Sequence, residues 1–376
     1  MDNYTLNCYC DQRVLMKRDE TKRNVAKVLP LVYDILRYVN SRDRRFLIQP
    51  LRVGSYDTHL KVKKADEFDY NVIVDVGKLV WAPGKTRYYG FNNTGDKVVE
   101  KKGYALPDPP VGQSFTKIGY LKKQWEADGL NDGVASMTFD DDIVPIKVKR
   151  WFKSLVGEAV NQPKFRNLIT TDRISSSPAT TLSVKFPDIH YPISIDLCPM
   201  IESQLEFKPE FHWPRSNSTW PSQQKRSAIR KVGVNEIAKE PFYWTLSFAA
   251  CEKELLDGID IKGTCRKKSQ RIMKRLKEDV WCPPGSKSEL TSYHLKNVLF
   301  WECEDHPFDT EWQQELLAAR VKSMTYRLLG YIQRGILPLY FHDGVNLFSS
   351  KDKVVLQKVA NNIQAFLDQP KPYLSE

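Results

Sequence analysis

Two acidic side chains, Glu67 and Asp69, stand two positions apart in a segment that alternates between apolar and polar residues. In a β-strand, residues at this spacing project from the same face, about 7 Å apart along the backbone. The alternation from residue 67 to residue 76 predicts such a strand, with Phe68 and Tyr70 facing a core on the opposite side. The two carboxylates are therefore placed to share a metal ion.

A third acid, Asp196, lies in the predicted strand Ile193-Ser194-Ile195-Asp196-Leu197, whose apolar side chains face the other way. Three carboxylates on adjacent strands would hold two divalent cations roughly 4 Å apart, an arrangement that stabilises the attacking and leaving oxygens of phosphoryl transfer. Hard oxygen ligands favour Mg²⁺ or Mn²⁺. Gly54 and Ser55 precede the acids, and we expect them at the opening of a helical turn, where backbone and hydroxyl can approach a phosphate.

The elements that position these residues indicate an α+β fold with two lobes. A three-four spacing of apolar residues from Val25 to Val39 predicts one long helix, with a kink or restart near Pro30. Residues 79–112 are predicted to form loops and short hairpins, and prolines between 209 and 221 mark the boundary of lobes at 1–210 and 211–376. Further helices are predicted over 146–155, 244–256, 266–277, 292–301, 312–332 and 354–367, and strands over 180–186 and 191–197.

The composition is that of a basic, folded protein. Lys and Arg exceed Asp and Glu by 57 to 46, which gives a formal charge of +11 over 376 residues and predicts a polyanionic partner. No apolar stretch approaches the roughly 20 residues that span a bilayer, so no membrane association is expected. The seven cysteines are scattered and odd in number, unlike a disulfide scaffold, and the opening residues do not form a signal peptide. These features predict a cytoplasmic protein.

Several segments, taken in order, resemble those of cGAS and the cGAS-like receptors. They are Gly54-Ser55-Tyr56, Glu67-Phe68-Asp69, Ser177-Pro178-Ala179, Ile193-Ser194-Ile195-Asp196, Leu246-Ser247-Phe248, Ser292-Tyr293-His294-Leu295-Lys296 and Asn346-Leu347-Phe348-Ser349-Ser350. The resemblance extends from about Arg18 to Ser350. It implies a polymerase-beta-like nucleotidyltransferase lobe with a central mixed sheet, a helical C-terminal lobe and an active site in the cleft between them.

The resemblance also implies roles for individual residues. Glu67, Asp69 and Asp196 would bind two Mg²⁺ or Mn²⁺ ions, and Asp196 would help to deprotonate the attacking ribose hydroxyl. Tyr293 would stack on a nucleobase, and Ser55 would hold the triphosphate. The full set of implied nucleotide contacts is Gly54, Ser55, Ser247, Glu252, Lys274, Ser292 and Tyr293. The implied duplex-binding residues are Arg18, Lys253, Lys267 and Arg271.

The sequence departs from cGAS at two places. Thr245 stands where cGAS carries an arginine that reads guanine, which puts base selection and product linkage in doubt. The zinc thumb of the vertebrate enzyme, which lies between the segments matching Glu252 and Cys265, is missing, so no structural zinc is expected. Relatives without the thumb respond to double-stranded RNA, whose shape a basic platform can recognise.

The function implied by this resemblance is synthesis of a cyclic dinucleotide, with cyclic GMP-AMP as the expected product, from ATP and GTP. Double-stranded RNA would switch the enzyme on, a dimer could form on the nucleic acid, and the product would act on a STING-type receptor in antiviral innate immunity. Three alternatives stay open: a DNA-activated cyclase, a catalytically silent scaffold of the same fold, and a linear polymerase such as an oligoadenylate synthetase.

Overall fold

The computed structural model describes residues 1–14, 18–62, 64–76, 90–91, 98–99, 113–114, 137–139, 142–171, 179–239, 243–286 and 288–374. Most of the loops predicted over 79–112 therefore lie outside the described residues, as do Ser177 and Pro178. Two short strands, β3 (Gly90–Phe91) and β4 (Val98–Val99), pair with each other inside that region.

The first lobe is built on a mixed sheet backed by helices. Helix α1 (Asn3–Tyr9) precedes this lobe, whose helices are α2 (Arg18–Arg42), α3 (Gly54–Asp57) and α4 (Pro145–Val160). Its strands are β1 (Leu51–Val53), β2 (Glu67–Ile73), β5 (Gln113–Ser114), β6 (Thr138–Phe139), β7 (Asp142–Ile143), β8 (Ile169–Thr171), β9 (Thr180–Val184) and β10 (Ile193–Leu205). The predicted helices over 25–39 and 146–155 and the two predicted strands over 180–186 and 191–197 are confirmed.

The later part of the chain is mainly helical. It contains α5 (Gln223–Val232), β11 (Val234–Ile237), β12 (Trp244–Ser247), α6 (Ala249–Leu256), α7 (Arg266–Leu276), α8 (Ser292–Asp305), α9 (Leu317–Arg334), β13 (Pro338–Leu339), β14 (His342–Asn346), α10 (Lys353–Asp368) and α11 (Lys371–Leu374). The predicted α+β class is therefore confirmed. The division at residue 210 stays a prediction, and β11 and β12 beyond it extend the sheet of the first lobe.

The sheet order brings β2 and β10 together at its centre. The order β1-β2-β10-β11-β12-β5 places β2 antiparallel to β1 and parallel to β10, while β9 pairs with the first part of β10 and with β8. Phe68, Tyr70 and Val72 of β2 are buried against the apolar face of α2, where Val32, Ile35 and Leu36 are also buried. Because this packing buries one face of β2, Glu67 and Asp69 lie on the opposite face.

Two of the predicted helices begin later in the chain than predicted. Residues 244–247 form β12 rather than the first turn of a helix, because they pair antiparallel with β11 and the Trp244 indole donates to the Ile143 carbonyl at 2.8 Å. The helix predicted from residue 312 begins at Leu317, after two short 3₁₀ turns. Both errors arise from partners distant in sequence, which local periodicity does not reveal.

The N-terminal segment, residues 3–14, packs on the helical lobe. Leu6, Tyr9 and Val14 are buried in the same apolar core as α7, α8 and α9. The Asn3 side chain accepts a hydrogen bond from the Ala318 amide at 2.7 Å, at the start of α9. These contacts join residues 3–14 to the second lobe, whereas the predicted boundary at residue 210 includes them in the first.

Candidate active site

The three acids meet because β2 and β10 run parallel in one register. Asp196 lies directly opposite Asp69, and Ser194 lies opposite Glu67. The side chains of Glu67, Asp69 and Asp196 offer carboxylate oxygens that all lie within 4.8 Å of one another. The predicted convergence of the three acids on one face of the sheet is therefore observed.

The electrostatics of this acid triad are those of a site that gains from a bound cation. Burial and the charges of Glu67 and Asp196 raise the pKa of Asp69 to about 6. Burial, together with the Glu67 charge, also raises the pKa of Asp196. Oδ1 of Asp196 is buried and has no hydrogen-bond partner in the described part of the chain. A compact set of hard oxygens with an unsatisfied buried acceptor fits Mg²⁺ or Mn²⁺.

Glu67 differs from the other two acids because a lysine neutralises it. Burial alone would raise the pKa of Glu67, but the Lys61 ammonium, with help from Lys274 and Lys277, holds that pKa below its usual value. The Lys61 Nζ donates to Oε2 of Glu67 at 2.7 Å. Sequence analysis did not single out Lys61, since it sits among three other charged residues in an irregular loop.

The turn α3 brings backbone against the acids, as predicted for Gly54 and Ser55. Gly54 has φ +80°. A Cβ at this position would lie 1.9 Å from Oδ2 of Asp69, so only glycine fits. The Leu60 amide donates to the Ser55 carbonyl at 2.8 Å and fixes the loop that follows. The part-buried Ser55 is thus held beside the strand that carries the acids.

A cleft of about 790 Å³ joins the acids to residues of the second lobe. It is lined by Gly54, Asp69, Asp196, Thr245, Ser247, Glu252, Tyr293, Lys296 and residues 345–347 and 349–351, among others. The cleft therefore contains four of the predicted site residues on the sheet and α6, together with Gly54 on α3 and Tyr293 on α8. Its size suits a nucleotide-sized ligand.

Tyr293 and Glu252 form one wall of this cleft. The Tyr293 side chain is partly exposed, and Nζ of Lys296 lies 5.1 Å from the centroid of its ring. Burial, together with the charge of Glu252, raises the pKa of the Tyr293 hydroxyl. Glu252 is 2% exposed, and its Oε2 accepts from Lys296 while Oε1 has no hydrogen-bond partner among the described residues. The buried hydroxyl of Thr245 also lacks a partner there. These acceptors are available to the polar edge of a base.

A second pocket, of about 490 Å³, adjoins the acids on the other side. It is lined by Lys61, Glu67, Lys274, Lys277, Ser288, Ser292 and five further residues. Burial and the nearby Lys61 charge lower the pKa of Lys274 to about 8. The predicted nucleotide contacts Lys274 and Ser292 thus lie together, in a pocket that also contains the acids Asp66, Glu67 and Glu278. Its hydroxyls and ammonium groups suit phosphate oxygens.

The predicted duplex-binding residues lie on three helices. Arg18 is the first residue of α2, and Lys253 on α6 forms an ion pair with Asp57 at 2.6 Å. Lys267 and Arg271 are one turn apart on α7 and are partly buried. Their neighbour Lys268 donates to Asn7 of the N-terminal segment. The segment thus borders this basic helix, a feature that sequence analysis missed.

Comparison with known proteins assigns the two halves of the chain to two domain families. Residues 56–258 match the Mab-21 protein nucleotidyltransferase domain, and residues 265–365 match the Mab-21 protein HhH/H2TH-like domain.

Among the described residues, no helix combines the length and apolar character required to cross a bilayer.

Curated relatives align over almost the whole chain. Protein mab-21-like 3 of Danio rerio is 34% identical, covering 100% of this chain and 98% of the relative. Protein mab-21-like 3 of Xenopus laevis is 23% identical over 94% of this chain and 92% of the relative. Protein mab-21-like of Drosophila melanogaster is 22% identical over 96% of this chain and 91% of the relative. The resemblance to cGAS thus holds for the nucleotidyltransferase domain, whereas these relatives are named mab-21-like and not cGAS-like receptor.

Proposed function

The chain belongs to the Mab-21 nucleotidyltransferase family, and from this premise we propose that its cleft catalyses metal-dependent nucleotidyl transfer from a nucleoside triphosphate to a ribose hydroxyl. The observation that carries the proposal is the cluster of Glu67, Asp69 and Asp196, whose ligand oxygens lie within 4.8 Å of one another. A silent scaffold has no need to gather three carboxylates beside a pocket that contains lysines and hydroxyls, because mutual repulsion makes such a cluster costly.

Each part of the site has a role in this reaction. The divalent ions, when bound to the acids, would stabilise the charge on the attacking and leaving oxygens. Asp196 lies where it can accept the proton of the attacking hydroxyl, since burial and Glu67 raise its pKa. Lys274 and Ser292 bind the polyphosphate, and Ser55 with the α3 backbone orients it. Tyr293 provides a surface on which a base stacks.

We further propose that the product is a cyclic dinucleotide made from ATP and GTP, that double-stranded RNA activates the enzyme, and that the product acts on a STING-type receptor. The cleft supports two nucleotides by its size of about 790 Å³. Thr245 supports altered base selection, because a hydroxyl replaces the guanidinium that reads guanine in cGAS. The missing thumb and the formal charge of +11 support an A-form duplex as activator.

Incubation of the purified chain with labelled ATP and GTP, Mn²⁺ or Mg²⁺, and either duplex RNA or duplex DNA tests the proposal. We expect a cyclic product that depends on both the metal and the RNA. Linear oligomers would assign the chain to the polymerase alternative. No nucleotide product under any of these conditions would support the scaffold alternative and overturn the proposal.

Replacing Tyr293 with alanine is expected to weaken nucleotide binding about 5- to 150-fold, since stacking of a base on an aromatic side chain contributes roughly 1 to 3 kcal/mol. The matched control is Tyr326→Ala, which removes another partly exposed tyrosine with a lysine, Lys322, 5.9 Å from its ring centroid. Calorimetry with an unreactive triphosphate measures both. Equal affinity for Tyr293→Ala and the control would remove Tyr293 from the nucleotide site.

Replacing both Lys267 and Arg271 with glutamate is expected to remove RNA-stimulated synthesis and to flatten the salt dependence of RNA binding, because fewer counterions are released per complex. Lys353→Glu with Lys358→Glu, on α10, makes the same change in net charge with exposed lysines and is the control. Full stimulation of the α7 variant would show that this helix is not the duplex-binding surface. Stimulation of the unmodified protein by DNA alone would overturn the choice of RNA.

A further inference from the structure

Lys61 is a buried cation in direct contact with the acid triad. Its side chain is 8% exposed, and Nζ lies 2.7 Å from Oε2 of Glu67 and 3.3 Å from Oδ1 of Asp66. No ion pair reaches Asp69 or Asp196 within the described part of the chain. Lys61 therefore provides the direct positive partner of the triad in the ligand-free protein.

This ion pair competes with a metal ion for the same oxygen. A divalent cation on Oε2 of Glu67 would lie next to the ammonium, and two positive groups at that separation repel strongly in a partly buried site. Glu67 can bind metal fully only when Lys61 moves away. Within the described residues, Glu67 thus has a lysine as its counter-ion, whereas Asp69 and Asp196 form no ion pair.

The adjoining pocket offers Lys61 a second partner. Lys61 lines that pocket together with Lys274 and Lys277. Its other polar lining consists of the hydroxyls of Ser288, Thr291 and Ser292 and the acids Asp66, Glu67 and Glu278. A rotation of the flexible lysine side chain about its own bonds is enough to move the ammonium from Glu67 toward this space. The pocket is open and about 490 Å³ in volume, so a bound polyphosphate would present oxygens next to Lys61.

We infer that Lys61 is an exchangeable counter-ion, which neutralises Glu67 in the ligand-free site and transfers to the polyphosphate of a bound nucleotide when Glu67 takes a metal ion. The inference rests on the proposed function, since both ligands are those of the same site. Either ligand alone removes a partner: metal alone leaves Lys61 with only Asp66, and polyphosphate alone takes Lys61 away from Glu67. Metal and nucleotide therefore bind with positive coupling.

The test uses the full chain and two binding measurements that need no turnover. Free Mn²⁺ is followed by its electron paramagnetic resonance signal, and binding of α,β-methylene-ATP with Mg²⁺ is followed by calorimetry. Lys61→Gln is expected to bind Mn²⁺ alone about tenfold more tightly and the nucleotide about tenfold more weakly than the unmodified protein, because one charge is lost beside each ligand. Lys61→Arg is expected to bind Mn²⁺ more weakly, because a guanidinium can hold the carboxylate with two hydrogen bonds.

Lys64→Gln is the matched control. It removes the same charge from the same loop, but Lys64 lies 4.8 Å from the ring centroid of Tyr191. Its Mn²⁺ affinity should equal that of the unmodified protein. Equal Mn²⁺ affinity for Lys61→Gln and the unmodified protein overturns the exchange and leaves the acid site standing, whereas no Mn²⁺ binding by either overturns both.

Two further outcomes separate the inference from its premise. If Lys61→Gln does not fold, Lys61→Arg decides the question, and Mn²⁺ affinity equal to or tighter than that of the unmodified protein overturns the exchange. Coupled binding of Mn²⁺ and nucleotide without any product supports the exchange while overturning nucleotidyl transfer.

Discussion

A protein carrying both Glu67→Gln and Asp69→Asn is expected to form no detectable nucleotide product, a loss of at least about 10³-fold, because the two changes remove the charges that bind the catalytic cations. The fold should persist. The substitutions preserve side-chain shape, and they relieve the repulsion that, with burial, raises the pKa of Asp69 to about 6. The buried Lys61 is not left unpaired by the loss of the Glu67 charge, because its Nζ also lies 3.3 Å from Oδ1 of Asp66.

The control for this variant is Asp75→Asn with Glu202→Gln. Both residues are exposed, one follows β2 and the other lies on β10, and neither lines the cleft. This control should keep full activity, and both doubly changed proteins should unfold at the same urea concentration as the unmodified chain. Product formation by the Glu67→Gln, Asp69→Asn protein at a rate comparable to the control would show that the triad does not bind the catalytic metal.

Gly54→Ala is expected to reduce turnover at least about 100-fold, because an added methyl group must displace the Asp69 carboxylate from the triad. The ideal Cβ lies 1.9 Å from Oδ2 of Asp69, far inside any real contact distance, and the backbone has φ +80°. Mn²⁺ binding should weaken in parallel, since Asp69 is one of the ligands. Turnover, Mn²⁺ affinity and urea unfolding are measured on the same preparation.

Gly258→Ala is the control that separates the effect of the steric clash with Asp69 from the effect of backbone strain at a positive φ. Gly258 also has a positive φ, +66°, but nothing lies within 4 Å of an added Cβ. It therefore carries the conformational cost of alanine, about 1 kcal/mol, without displacing a site residue. We expect it to lose some stability and no activity. If Gly54→Ala retained the same activity as Gly258→Ala, the close approach of α3 to Asp69 would have no catalytic consequence.

Sequence patterns were sufficient to place each acid on a strand face, because that placement depends on local alternation. Glu67 and Asp69 share a face by parity, and Asp196 lies in a strand whose apolar residues define the opposite face. The parallel pairing of β2 with β10, which brings the acids together, is a contact between distant segments that this alternation does not determine. The resemblance to cGAS added Tyr293 and Lys274, which no periodicity identifies.

The remaining features depend on contacts between segments distant in sequence. The strand at residues 244–247 exists because β11 offers it a partner, and the helix pattern of its residues gave no sign of that pairing. Lys61 meets Glu67 through an irregular loop whose path is set by tertiary hydrogen bonds. Sequence segments identified the superfamily correctly, but they did not separate its mab-21-like members from its cGAS-like receptors.

The packing of residues 3–14 on the helical lobe has a consequence for synthesis of the protein in the cell. This segment leaves the ribosome well before the residues it packs against, since Leu6 and Tyr9 enter a core whose other members include Met273 and Val321. The sheet lobe can bury its own core once β12 has emerged, whereas the helical lobe must wait for residues more than 300 positions downstream of its first helix. Until then the apolar side chains of α1 have no native partner, and apolar surface that stays exposed in this way favours aggregation of the nascent chain.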